Sequence, residues 1–133
     1  MPVKKRQTIR QRAEAYTDSP LMTHRVHYKG QLAARIQGNY GIYYTRVSQL
    51  VGGSESECSC PSDVRPCKHV GALRATWKEN PESFFELQDV LTELAAKSKD
   101  YLLVAIVNMA MRAPEGLAAL GVTQFSEEDV EWQ

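Results

Sequence analysis

The chain has 133 residues, of which 43% are hydrophobic and 24% are charged. This composition is typical of one globular domain and excludes a disordered or fibrous class. The longest apolar run, residues 101–110, is shorter than the roughly 20 residues that a membrane span needs, and the first residues lack the apolar stretch of a signal peptide. We therefore expect a cytoplasmic protein with no membrane partner.

The charges balance overall but are unevenly distributed. Residues 1–30 contain seven Lys or Arg and two Asp or Glu, whereas residues 81–133 contain three and ten. An acidic tail at residues 123–133 would repel phosphates, whereas a basic head is a segment that could contact them. A solubilising terminus is the alternative interpretation. The basic head consists of Lys4, Lys5, Arg6, Arg10 and Arg12.

The first half of the chain predicts a helix followed by an antiparallel β-meander. Apolar spacing favours a helix over residues 4–16, and three short β-rich runs follow at 23–28, 31–37 and 42–50, separated by turn residues. Strict alternation along the first strand would place His24 and His27 on opposite faces. We interpret both as solvated or core-edge residues rather than metal ligands, because they lie far in sequence from the cysteines.

The second half predicts one more extended segment and then helices only. Residues 55–60 are extended, residues 67–78 fit a helix that ends before Asn80-Pro81, and helical stripes follow over 87–94, 98–112 and 115–120. We expect an α+β chain with a basic N-terminal helix or arm (1–20), a meander with a metal site (21–80), a helical region packed on the same unit (81–122) and an acidic tail (123–133).

All three cysteines fall within ten residues, in a pattern that predicts a zinc site. Cys58-x-Cys60, six residues, and Cys67-x-His69 supply three thiolates and one imidazole, the kinds of ligand that tetrahedral Zn²⁺ takes. An odd number of cysteines argues against a closed disulfide framework. Four protein ligands leave no open position for water, so we predict one structural zinc ion. Arg65 and Lys68 are expected to offset the charge of the thiolates.

Two alternatives compete with the zinc interpretation. The four residues could cluster by chance, or Cys67 could be a nucleophile with His69 as its base. A catalytic dyad would not explain the two further cysteines upstream, whereas the metal site uses all four residues. The sequence also lacks a phosphate-binding glycine loop and a recognisable Ser-His-Asp set. We therefore expect no enzymatic activity.

The Cys-x-Cys, six residues, Cys-x-His pattern followed by Val70-Gly71-Ala72-Leu73 resembles the SWIM-type zinc finger of bacterial Swi/Snf-class ATPases, plant transposases and small stand-alone bacterial proteins. The segments at 32–38, 44–47 and 80–84 are similar to those around the finger in the bacterial group, so the resemblance extends over about residues 8–120. The segment at 54–57 departs from it by being less apolar. The resemblance implies a ββα-type zinc fold and a role in binding DNA or proteins.

The sequence is compatible with two functions. The first is binding of DNA or another nucleic acid, directly or within a DNA-processing complex, through basic residues near the finger together with the basic head. Tyr40, Tyr43 and Tyr44 could add stacking surfaces, although packing is their commoner role. The second is an adaptor that contacts a protein such as an ATPase or helicase through the C-terminal helical stripe. The candidate basic residues are Arg46, Arg65, Lys68, Arg74 and Lys78.

Overall fold

A computed structural model describes residues 8–49 and 55–121 and confirms the α+β class. The chain divides into two compact units, residues 1–90 and 91–133. The first contains helices α1 (Ile9–Tyr16) and α2 (Lys68–Glu79) with a β-sheet, and the second contains α4 (Lys99–Arg112). Helix α3 (Leu87–Leu94) crosses the boundary. Packing of the C-terminal helices on the first unit stays a prediction, and the acidic tail lies outside the described residues.

The sheet has five strands in the order β4-β3-β2-β1-β5. Strands β1 to β4 pair in sequence order and antiparallel, which confirms the predicted meander. The β1–β2 hairpin turns at Lys29 and Gly30, whose φ angles of 46° and 74° match the two-residue turn that fits the twist of paired strands. The strand bounds are β1 (Met22–Tyr28), β2 (Gln31–Gly38), β3 (Gly41–Ser48), β4 (Ser56–Cys58) and β5 (Phe85–Glu86).

The strict alternation predicted for β1 is wrong. The register with β2 shifts between Thr23 and Val26, and His24 has a φ of 55°. A bulge of this kind adds a residue to one strand and changes which face the following side chains occupy. His24 is exposed, whereas His27 lies half-buried on the helix-covered face and stacks on Trp77 with ring centroids 4.4 Å apart.

The prediction that everything after residue 80 is helical is also wrong, because β5 joins the sheet there. Its two residues pair parallel to β1, Val26 with Phe85 and His27 with Glu86. The His27 ring is also hydrogen-bonded to the Glu86 carboxylate, which holds the pKa of Glu86 below its ordinary value. Two residues are too few to show a strand period, so their sequence does not reveal the strand.

One face of the sheet packs on α2 to make the core of the first unit. Thr76 is one of the buried polar residues there, and its hydrogen bonds are satisfied: its hydroxyl donates to the Ala72 carbonyl at 2.7 Å and accepts from the Asp18 amide at 2.9 Å. It thereby joins α2 to the turn that follows α1. The buried apolar residues of the strands and α2 include Leu32, Ala34, Ile36, Tyr43, Val47, Val70, Ala72 and Leu73.

Helix α1 begins at Thr8 with a capping box, in which Thr8 and Gln11 bond each other's backbone amides. It packs against α2 where Gly71 faces Ala13. A Cβ built on Gly71 would lie 3.4 Å from the Ala13 Cβ, so a larger side chain there would push the helices apart.

The second unit, taken by itself, consists of the end of α3, helix α4 and a 3₁₀ segment, Pro114–Leu120. Ser98 caps α4 by accepting the Tyr101 amide at 3.1 Å, and Gly121 ends the 3₁₀ segment in a left-handed conformation. Across residues 8–49 and 55–121, no helix is both long enough and apolar enough to cross a bilayer.

The zinc centre and the surfaces around it

The four predicted ligands come together at one end of the sheet. The ligand atoms of Cys58, Cys60, Cys67 and His69 all lie within 4.8 Å of one another. His69 Nδ1 is 3.6 Å from Cys58 Sγ and 3.8 Å from Cys67 Sγ. A tetrahedron with zinc–ligand bonds of about 2.0–2.3 Å has edges of roughly 3.5–3.8 Å. The residues therefore fit one structural zinc ion.

Strand pairing and helix initiation deliver the ligands. Cys58 ends β4, opposite Thr45 of β3. The next residue, Ser59, is also held to β3, because its amide donates to the Tyr44 carbonyl and its hydroxyl accepts from the Tyr44 amide. Cys67 is the N-cap of α2 and makes no side-chain capping bond, which leaves its sulfur for the metal. His69 lies in the first turn of that helix. The metal thus joins the edge of the sheet to the start of α2.

Among the described residues, two side chains outside the ligand set contact the thiolate sulfurs directly. The Thr45 hydroxyl is 3.3 Å from Cys58 Sγ, and Thr45 is 2% exposed, so this bond is shielded from water. Arg65 Nη1 donates to Cys60 Sγ at 3.5 Å while its Nη2 donates to the Cys60 carbonyl at 2.9 Å. Three thiolates on Zn²⁺ carry a net negative charge, which the guanidinium offsets. The prediction for Arg65 is confirmed.

Lys68 does not follow the prediction. Its ammonium lies 5.4 Å from the centroid of the Tyr16 ring, a cation–π arrangement, and not at a sulfur. Lys68 therefore connects α2 to α1 instead of neutralising a thiolate.

His69 is buried between two tyrosine rings. Tyr16 meets it edge-on at 5.0 Å and Tyr43 at 5.2 Å, measured between centroids. Burial, with the charges of Lys68 and Arg65, lowers the pKa of His69 to about 4. The imidazole is thus neutral at pH 7, the form that binds a metal. Its Nε2 has no hydrogen-bond partner among the described residues, so the rings orient this ligand by packing.

Cys58 holds its proton until the metal replaces it. Burial raises the pKa of Cys58 to about 12. For Cys60, burial acts in the same direction, but hydrogen bonds from the Ser62 amide, the neighbouring cysteines and Arg65 lower the pKa below its ordinary value. Zinc binding at this site therefore releases protons, and acid competes with it.

Tyr43 is held against His69 by the β2–β3 hairpin. Its hydroxyl accepts a hydrogen bond from the Tyr40 amide at 3.0 Å, and its ring lies next to Gly38, where an added Cβ would be 2.3 Å from the ring carbon Cε2. Gly38 is required here because any side chain would occupy the space of the ring. The hairpin therefore forms one wall of the zinc centre.

The candidate nucleic-acid residues lie on two surfaces. Lys68, Arg74 and Lys78 lie on α2, and Arg12 on α1 is exposed nearby. Arg46 lies on the opposite face of the sheet, where it forms a 2.8 Å ion pair with Glu57. Arg65 is engaged with Cys60. Lys4, Lys5, Arg6 and the side chain of Arg10 lie outside the described residues.

Two cavities adjoin the helical side of the zinc centre. One, of about 270 Å³, is lined by Arg12 and Lys68, by Asn39 and Tyr40 of the hairpin, and by three of the zinc ligands. The other, of about 600 Å³, follows the groove between α1 and α2 and is lined in part by Lys68 and Arg74. Basic side chains therefore line both cavities, although Glu14 and Glu79 also line the second one.

Apart from Arg65, the residues that support the ligands were not predicted from the sequence. Thr45 could have been found from the register, because it lies opposite Cys58 once β3 and β4 are paired. Tyr16 gave no such signal, since its contact with His69 depends on how α1 packs on α2. The three tyrosines of the hairpin region also differ: Tyr43 is buried, while Tyr40 and Tyr44 are exposed.

Comparison with known proteins identifies the centre. The family model of the SWIM zinc finger matches residues 39–73, a segment that runs from the β2–β3 hairpin through β3, β4 and all four ligands into α2. No curated protein and no solved structure matches the chain. The match and the ligand geometry agree: residues 39–73 of the chain form a SWIM-type zinc finger.

Proposed function

We propose that this protein is a non-catalytic module that binds nucleic acid, DNA in the first place, through the helical side of its finger, either directly or within a DNA-processing complex. The observation that carries the proposal is the convergence of Arg12, Lys68 and the 85% exposed Tyr40 around the cavity that three of the zinc ligands also line. Two cations and an exposed aromatic ring around one cavity could bind a phosphate group and stack on the base next to it.

Helix α2 extends this basic surface away from the cavity. Arg74 and Lys78 are one helical turn apart and Lys78 is exposed. The zinc ion fixes the start of the same helix through Cys67 and His69. The metal would thus position the phosphate-binding cations without taking part in chemistry, and four protein ligands leave it no site for substrate.

A salt titration tests this function. Binding to duplex DNA, single-stranded DNA and RNA is measured by fluorescence anisotropy, and log Kd is plotted against log salt. We expect a linear dependence, because each phosphate contact releases counterions. Replacing Arg74 and Lys78 together by Gln should reduce the slope by about one to two, at 0.7–0.9 per contact. Lys99→Gln combined with Arg112→Gln, both in α4, is the charge-matched control. Absence of binding at low salt would refute the proposal.

A second candidate function is a protein adaptor, and helix α4 favours it. Seven of its larger apolar side chains are exposed, and a protein-contacting helix presents such a surface to its partner. The partner would be a protein such as an ATPase or helicase. Val107→Glu should then abolish co-purification with that partner and leave the zinc content unchanged. These seven side chains are Tyr101, Leu103, Val104, Ile106, Val107, Met109 and Met111.

A further inference from the structure

The face of the sheet opposite α2 carries a second set of side chains, which the zinc centre does not use. Cross-strand pairing defines two adjacent rows on it. The first row joins Phe85, Val26, Ala33, Arg46 and Glu57 across all five strands. The second joins Thr23 and Arg35 to Tyr44. We call these eight residues the open face.

Two aromatic rings of the open face are exposed to solvent. Tyr44 is 49% exposed and Phe85 is 57% exposed. The exposed Ile42 lies on the same side of β3 as Tyr44, two positions earlier. Stable folding does not require large rings at such positions, so an exposed aromatic and aliphatic patch marks a contact surface.

The charge of the open face indicates what it contacts. Arg35 pairs directly across from Tyr44, and it forms no ion pair with any described residue. Arg46 is balanced by Glu57 at the outer strand. Within these eight residues, one positive charge beside an exposed ring is thus left in excess. Surfaces for single-stranded nucleic acid combine cations with exposed aromatic rings on which the bases stack.

The backbone of Tyr44 is held by the segment that carries the zinc ligands Cys58 and Cys60. Tyr44 donates its amide to the Ser59 hydroxyl at 3.0 Å and accepts the Ser59 amide at 3.1 Å, and Ser59 lies between two zinc ligands. A ring whose backbone is held in this way loses little freedom when a base stacks on it.

We propose that the open face is a binding surface for single-stranded DNA, on which one base stacks on Tyr44, a base farther along the strand reaches the Phe85 side, and Arg35 contacts a phosphate. Stacking depends on the π-face that every base has, so the surface is expected to tolerate many sequences. The proposal goes beyond the function proposed for the helical side, because the two surfaces lie on opposite faces of the sheet and share no residue.

The test compares Tyr44→Leu with Tyr44→Phe, using a fluorescent oligo(dT) of about twelve nucleotides, within the site size of a single-strand-binding domain. Leucine keeps an apolar side chain but removes the ring, whereas phenylalanine keeps the ring. We expect Tyr44→Leu to raise Kd about 5- to 100-fold and Tyr44→Phe to bind as the wild type does. Arg35→Gln should reduce the salt slope by about 0.7, the value for one phosphate of a single strand. Zinc content and melting temperature confirm that each variant is folded.

The outcomes separate the two proposals. If Tyr44→Leu binds oligo(dT) like the wild type, the open face is not the surface, even where the Arg74 and Lys78 variants lose binding and so support the helical side. If the wild type binds no oligo(dT) at low salt, the open-face proposal is also wrong, whatever is found with duplex DNA. Equal retention of binding by Tyr44→Leu and Tyr44→Phe, with loss only in Tyr44→Glu, would indicate an apolar docking surface and overturn the stacking model.

Discussion

Gly38→Ala offers a sharp test of the link between the β2–β3 hairpin and the zinc centre. The new Cβ would lie 2.3 Å from Tyr43 Cε2, whereas carbon atoms in contact prefer about 3.5–4.0 Å, so the ring must move by at least about 1 Å. The ring packs on His69, 5.2 Å away between centroids. Overpacking of this kind costs roughly 1–3 kcal/mol.

The expected result is a lower melting temperature together with weaker zinc binding. At about 4–8 °C per kcal/mol for a unit of this size, the melting temperature should fall by roughly 5–20 °C. Calorimetry measures the first effect, and competition with a chelating dye measures the second. Gly116→Ala is the matched control, because a Cβ there meets nothing within 4 Å, and it should change neither quantity.

A double-mutant cycle isolates the cause. In a Tyr43→Leu background the obstructing ring carbon is absent, so Gly38→Ala should cost less than it does alone. The reasoning is refuted if Gly38→Ala melts like the wild type, or if its cost is the same with and without the Tyr43 ring.

Three further predictions concern the metal centre. Cys60→Ser should abolish tight zinc binding and reduce hydrogen-exchange protection in β3, β4 and α2, because metal binding supplies folding free energy in such sites; unchanged protection would contradict this. Thr45→Val should weaken zinc binding about tenfold, judged by dye competition, by removing the hydroxyl next to Cys58 Sγ, and an unchanged affinity would show that bond to be unimportant. Acidification should destabilise the first unit and release zinc: His69 has a folded pKa of about 4, below its ordinary 6.5, so its contribution is present above pH 6.5 and is lost as the pH falls towards 4. A melting temperature that stays constant across this window would refute that assignment.

The sequence predicted the parts of the fold that depend on local pattern. Spacing alone identified the four ligands, since three cysteines and a histidine so close together in a chain are typical of a metal site. The meander followed from short β-rich runs separated by turn residues, and α2 followed from apolar positions at helical spacing. These features are encoded by residues that are neighbours in the chain.

The features that the sequence did not predict depend on contacts between distant residues. Strand β5 exists because Glu86 meets His27, 59 positions away. The bulge at His24 breaks an alternation that the residue types alone favour. Arg46 was grouped with the cations near the finger, but the register places it on the other side of the sheet. In each of these cases, among the described residues, contacts between residues distant in the chain determine the structure.

The parallel β1–β5 pair also has a consequence for the order of folding. Strands β1 to β4 pair with their sequence neighbours, so they close short loops, whereas β5 must close a loop of almost sixty residues to reach β1. Loop-closure entropy grows with loop length. The zinc ligands lie within that loop. A bound metal closes the segment between them, so fewer residues remain in the loop that β5 has to close. We therefore expect β5 to dock onto β1 faster in metal-bound protein than in metal-free protein. Zinc would then affect the rate of this docking as well as the stability of the folded protein.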